Sequence, residues 1–249
     1  MEALSKMSPN GATLADIAAR TGLAPSTAHR LLATLIEGGY VTRGLDKHLY
    51  VLGHRIMGVA TSVQQRTAHL RAIVRPHLEA IAQESGEMTV LVALDGINSV
   101  YIDQVVGPRF MGMMLGVGSA FPANTSASAK AILAFSDSKS AIDLIFKGRK
   151  LKKYTSRTIV DVTEFRTAVE QTRLRGFAIE RDEVEDGISC IAAPIRSKNG
   201  NAIAAIGVPG PTARILGPNP ERLGILVAKH TGRISESLGF QNRDVGSIR

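Results

Sequence analysis

The stretch Leu14–Gly39, LADIAARTGLAPSTAHRLLATLIEGG, decides how this chain is read. It divides into two short segments with apolar stripes around the turn Thr21-Gly22-Leu23-Ala24. In the first, Leu14, Ile17 and Ala18 share a helical face; in the second, Ala28, Leu31, Leu32 and Leu35 do. Gly22 suits the left-handed conformation that ends a helix, and Leu23 is placed to plug the angle between the two. Pro25 fits the first turn of the second helix, where its missing N–H costs nothing. Ser26, Thr27, His29 and Arg30 are then left exposed at that helix's N-terminal end, the end that such motifs present to base edges in the major groove. A helix pair around a Gly turn also occurs in all-helical domains that never touch nucleic acid.

The next residues shift the balance toward DNA. Tyr40-Val41-Thr42-Arg43 and Leu49-Tyr50-Val51-Leu52 are short β-rich runs, with Gly44-Leu45-Asp46-Lys47-His48 supplying the turn between them. This is a hairpin of the wing kind, and Arg43, Lys47 and His48 are placed to meet phosphates. Helix, turn, helix and wing in that order form a stronger signal than any one piece.

Charge points the same way. The 249 residues carry a net charge of +8. Residues 1–75 hold nine Lys and Arg against four Asp and Glu, and residues 76–249 hold 21 against 18, so the excess is concentrated in the helix-turn-helix part. The basic run Lys147, Arg149, Lys150, Lys152, Lys153 and Arg157 has no interleaved aromatic stack and reads as a solvated loop. A hydrophobic content of 44% is that of a folded protein, and the length suits two domains. The N-terminus lacks the pattern of a signal peptide, no apolar run is long enough for a membrane span, and the single cysteine fits a reducing compartment. The expectation is a cytoplasmic, nucleoid-associated protein without membrane partners.

After the wing, Gly53 to about Ile73 reads as a connecting helix with Ile56, Val59, Ala60, Val63 and Leu70 on its stripe, able to pair with a second copy. A further helix follows over about Arg75–Ser85. Strands are expected over Met88–Leu94, Val100–Val106, Phe110–Leu115, Cys190–Ser197 and Ala202–Val208. Helices are expected over Ser126–Phe135, Lys139–Phe146, Glu164–Arg175 and Pro220–Leu238. Strands interspersed with helices argue an α+β domain built on a central sheet.

The chain resembles the isocitrate lyase regulator (IclR) family of bacterial transcription regulators over nearly its full length. The resemblance is carried by Thr13–Leu23, Ser26-Thr27, Arg30-Leu31-Leu32, Gly39-Tyr40-Val41 and Tyr50–Gly53. It continues through Gly86-Glu87, Gly118 with Pro122, Lys130–Ala134, Arg175-Gly176-Phe177, Glu180, Glu183, Gly187 and Cys190–Ile195. It implies a winged helix-turn-helix over 1–53, a linker helix over 54–73, and a GAF-like effector-binding and oligomerisation domain over 74–249. It also implies a dimer or tetramer on operator double-stranded DNA, with repression more expected than activation.

Transferred by motif position, the effector site would draw on Phe110, Met113, Phe121, Ala127, Ser128, Glu180, Ile188 and Cys190, with the first amides of a helix cradling a carboxylate. Three features depart from the family. The helix ahead of Thr13 reads as shortened, Ala129 replaces a usual Gly, and Gly207 and Pro209 stand where some relatives offer serines to a small acid. With those hydroxyls gone, the expected effector is an organic acid larger or less polar than a two-carbon keto acid, such as an aromatic or medium-chain acid, or a semialdehyde. Read without the resemblance, Cys190 is a small core residue, and Glu180, Asp182, Glu183, Glu185 and Asp186 form a solvated acidic loop.

Two other classes remain open at this point. One is an enzyme using Cys190; the other is a ligand-binding module without DNA contact. The six histidines fall far from Cys190 in sequence, and no Cys or His pair has metal-ligand spacing, so no catalytic residue, metal or cofactor is expected.

Overall fold

The computed structural model describes residues 1–109, 116–136, 139–148 and 150–241. The chain divides into two compact units, Met1–Ala68 and His69–Arg249.

In the first unit, α1 (Glu2–Ser5), α2 (Leu14–Thr21) and α3 (Pro25–Glu37) precede the hairpin β1 (Val41–Arg43) and β2 (Tyr50–Leu52). Thr13 and Asp16 start α2 reciprocally: the Thr13 hydroxyl accepts the Asp16 N–H at 3.2 Å, and the Asp16 carboxylate accepts the Thr13 N–H at 3.1 Å. Gly22 ends α2 at φ +68°, as its place in the turn requires. Leu4, Ala12, Ile17, Leu32, Val41 and Tyr50 form the core of this unit. Ala12 pairs with Tyr50 through two main-chain bonds and so adds a third edge to the hairpin.

Two expectations fail here. Leu31 is 48% exposed, because the buried stripe of α3 follows Ala28, Leu32 and Leu35 and leaves Leu31 one row to the side. Leu23 is also exposed. The N–H groups of Gly22 and Leu23 both bond to Ala18 O, so backbone closes the corner that the side chain was expected to fill.

The helix expected to break near Arg75 is continuous: α4 runs Arg55–Ser85 with Pro76 inside it. Proline removes one helical donor. Val74, Leu78, Ile81 and Ala82 flank it at helical spacing and are buried to 2% exposure or less, so their packing carries the helix through.

The second unit is built on one antiparallel sheet of order β5-β4-β3-β8-β7-β6. In chain order its elements are β3 (Thr89–Asp95), β4 (Asn98–Val105), β5 (Ala120–Pro122), α5 (Ala127–Ala134), α6 (Lys139–Phe146), α7 (Val162–Arg175), β6 (Ala178–Arg181), β7 (Ile188–Arg196), β8 (Ala202–Pro211), α8 (Thr212–Ile215) and α9 (Pro220–Ser237). The two edge strands β5 and β6 were not anticipated, and the strand expected over Phe110–Leu115 lies outside the described residues.

Alternation on β7 separates the two faces. Ile191, Ala193 and Ile195 join Val74, Leu78, Ile81, Val227 and Ile234 of α4 and α9, whereas Ala192 meets Ala127, Ala131 and Ile132 of α5. His77 and His230 clasp α4 to α9, with their Nδ1 atoms 2.9 Å apart. A bulge in β4 matters for the site. Leu91 pairs with Asp103 but Val92 pairs with Tyr101, so Ile102 is the extra residue. Tyr101 therefore joins Val90, Val92 and Phe121 on the α5 side. Asp103 turns to α4, where it holds Arg75 at 3.1 Å and Arg71 at 3.5 Å.

Candidate functional site

The first turn of α3 exposes three of the four polar residues that were expected to be exposed. Ala28 is buried at 2% exposure, and Ser26, His29 and Arg30 are exposed together at i, i+3 and i+4, with Thr27 half-buried beside them. Among the described residues no acidic side chain pairs with Arg30. In the hairpin, Arg43 donates to Lys47 O at 3.0 Å and lies over the Tyr50 ring at 4.0 Å. Arg43 thus braces the turn that projects the exposed Lys47 and His48.

The second candidate site is a cavity of about 240 Å³ in the other unit, walled by β4, β5, the start of α5, and β6 to β8. It brings together Phe121, Ala127, Ser128, Glu180, Ile188 and Cys190, residues spread over 70 positions of the chain. Phe110 and Met113 lie outside the described residues. Sequence reasoning missed Tyr101, Thr125, Ser126, Val184 and Glu185, which also line it, while Pro209 lies in the lining where the resemblance placed it. Tyr101 was hidden because strand alternation does not foresee the bulge at Ile102.

In the lining, Ser126 caps α5 by accepting the Ala129 N–H at 3.3 Å. The N–H groups of Ala127 and Ser128 precede the helix's own bonding and sit at its positive end. Glu180, also in the lining, is 3% exposed, and its Oε1 accepts the Glu183 N–H at 2.5 Å. Burial pushes its carboxyl up to about 8, reinforced by the nearby Glu183 charge and opposed by the Glu183 N–H and by Lys130. Burial also pushes the Tyr101 phenol and the Cys190 thiol well above their usual ranges, so neither is charged at neutral pH.

Behind Glu180, Lys130 of α5 is 1% exposed and ion-pairs with Glu183. Burial holds the Glu183 carboxyl above the usual carboxylate range despite that partner. The acidic segment is therefore not a solvated loop: Glu180 and Glu183 are interior and only Glu185 and Asp186 are exposed. Its corner is fixed at Asp182, φ +53°, whose carboxylate accepts from the Thr212 hydroxyl and the Gly187 N–H. Thr155 and Thr158 donate to the carbonyls of Asp182 and Glu183 at 2.6 and 2.7 Å.

Gly207 has a steric reason for lacking a side chain. A Cβ there would lie 2.9 Å from Ser128 Oγ and 3.4 Å from Cys190 Sγ, so Ser128 already fills that room. Among the described lining residues none is a histidine, and the Cys190 thiol hydrogen-bonds weakly, to Ile191 O at 3.6 Å. Among the described residues no three His, Cys, Asp or Glu gather as a metal site, and no helix is long and apolar enough to cross a membrane.

The sequence matches the family model for the IclR helix-turn-helix domain over residues 1–44, and the model for the bacterial transcriptional regulator IclR C-terminal domain over 63–236. It is 31% identical over 229 residues to the transcriptional repressor IclR of Escherichia coli, covering 91% of this chain and 82% of that one. The crystal structure of the Thermotoga maritima IclR superposes with a TM-score of 0.71 at 29% identity, covering 96% of both chains. An IclR homolog from Microbacterium hydrocarbonoxydans, solved in complex with 4-hydroxybenzoate, superposes with a TM-score of 0.71 at 25% identity over 92% of each chain.

Proposed function

The chain belongs to the IclR family of transcriptional regulators, which bind DNA through a helix-turn-helix and are not enzymes, and on that premise we propose that it is a metabolite-controlled repressor. Ser26, Thr27, His29 and Arg30 read bases, while Lys47 and the braced Arg43 meet phosphates. Residues 1–53 serve as the DNA-reading part, 54–73 as the linker and 74–249 as the ligand-binding part. The effector occupies the cavity between α5 and β6, with its carboxylate at the N–H groups of Ala127 and Ser128 and its apolar body against Phe121, Tyr101 and Ile188. That cavity, small, mostly apolar and lined by the α5 N-terminus and Glu180, is the observation that carries the effector reading. The filled Gly207–Ser128 contact favours an aromatic or medium-chain acid, or a semialdehyde, over a two-carbon acid.

The regulator acts as a dimer or tetramer in the cytoplasm. Ile56, Val59, Ala60 and Val63 make an apolar stripe on α4, with Val59 and Val63 51% and 53% exposed, which supports pairing with a second copy. Two recognition helices then meet half-sites related by a two-fold axis.

Arg30→Ala tests the DNA-reading surface. With a duplex selected from a random pool, fluorescence anisotropy is expected to show affinity falling about tenfold to a hundredfold, the worth of one good base contact. Binding of ligands to the other unit is expected to stay unchanged. Unaltered DNA affinity contradicts the assignment.

A further inference from the structure

Among the described residues, Glu180 is the buried carboxyl of its unit that has no ion-pair partner, whereas Glu87, Asp103 and Glu183 each have one. Among the described residues that face it, the cation is already paired and the other groups are acidic or uncharged. On α5, the Lys130 ammonium is bound by Glu183. In the loop after β6, Glu183 and Glu185 are themselves acidic, and Glu164 of α7 adds its charge near Glu183. On β7 and β4, the Cys190 thiol and Tyr101 phenol remain protonated. The polar contacts to its carboxyl come from the main-chain N–H groups of Glu183 and Val184. A carboxyl this buried, without a cation, is held as the neutral acid. It therefore has an O–H to give.

We propose that the cavity binds its carboxylate ligand together with a proton, the anion lying between the N–H groups of Ala127 and Ser128 and the O–H of Glu180. An ionised Glu180 would face the anion as a like charge, so the deprotonated cavity rejects it. The inference rests on the effector reading above and adds a regulatory property: pH and ligand act on one site. Below about pH 8 the proton is already on Glu180; above it, each bound anion draws one proton from solvent onto the Glu180 carboxylate.

The probe is benzoate, titrated calorimetrically into the full chain at pH 7 and pH 9.5. Affinity is expected to fall about thirtyfold between the two, with close to one proton taken up per benzoate at the higher pH. Glu180→Gln, which keeps a donor but cannot ionise, is expected to bind equally at both. A second measurement needs no ligand. The infrared band of a protonated carboxylic acid is expected at pH 7 in the unliganded protein and is expected to vanish in Glu180→Gln. Benzoate binding that ignores pH overturns the proton linkage and leaves the carboxylate reading standing. A missing infrared band overturns the linkage whatever benzoate does. No benzoate binding at pH 7 overturns both.

Discussion

Lys130→Ala is expected to destabilise the C-terminal unit by about 3–5 kcal/mol, the usual cost of leaving one member of a buried ion pair without its partner. For a unit of this size that lowers the thermal midpoint by about 10 °C, readable by calorimetry on the full chain. Lys130 is a lysine with no solvent, 1% exposed in the middle of α5, and its ammonium meets the Glu183 carboxyl across the loop after β6. Burial already raises the pKa of Glu183, so without the ammonium the carboxyl takes up a proton instead of staying charged. The loop that forms one wall of the cavity then loses its tie to α5. Replacing both partners by apolar residues, Lys130→Met with Glu183→Leu, is expected to recover most of the loss, because the desolvation of both charges is removed together. A loss below about 1 kcal/mol in Lys130→Ala would place the pair among weak surface bridges and contradict this account.

Gly53→Ala is expected to abolish DNA binding while leaving the C-terminal unit folded. Gly53 closes the hairpin against the end of α3, its N–H bonded to Tyr40 O at 2.9 Å. A Cβ there would lie 2.2 Å from Gly39 O and 3.0 Å from Gly39 C, both main-chain atoms with no rotamer to escape into. Overpacking of that kind costs about 3 kcal/mol, and a unit as small as Met1–Ala68 has little stability to lose. The expected result is an early unfolding transition confined to the first unit, with ligand binding to the second retained. Wild-type DNA affinity in this variant would show that the hairpin and α3 are not fixed to one another as described.

The parts of the molecule that could be read from the sequence are those in which local chemistry decides the conformation. Gly22, Pro25 and the apolar stripe around them place the helix-turn-helix to within a residue or two, because each fixes its own backbone. The elements that were missed depend on distant partners. The junction expected between Ile73 and Arg75 vanishes once the sheet face beneath Val74 and Leu78 is known. The strand β6 is only four residues long, and its pairing with β7 is what defines it. For the cavity, the resemblance led to Ala127, Ser128, Glu180 and Cys190, but not to the bulge that delivers Tyr101. Nor did it foresee which of the clustered acids are interior. Glu183 is buried because a lysine more than fifty residues earlier reaches it, and no local pattern carries that information.

The claim that joins the two units is that a carboxylate in the cavity changes the affinity of the helix-turn-helix for DNA. The direct measurement is the dissociation constant of the full chain for its selected duplex, with and without saturating ligand chosen from an acid panel by calorimetry. A shift of fivefold or more is expected, the lower bound of ordinary coupling between two sites. The same ligand is expected to bind correspondingly differently once DNA is present. Equal DNA affinity with and without a ligand that demonstrably fills the cavity would contradict the account.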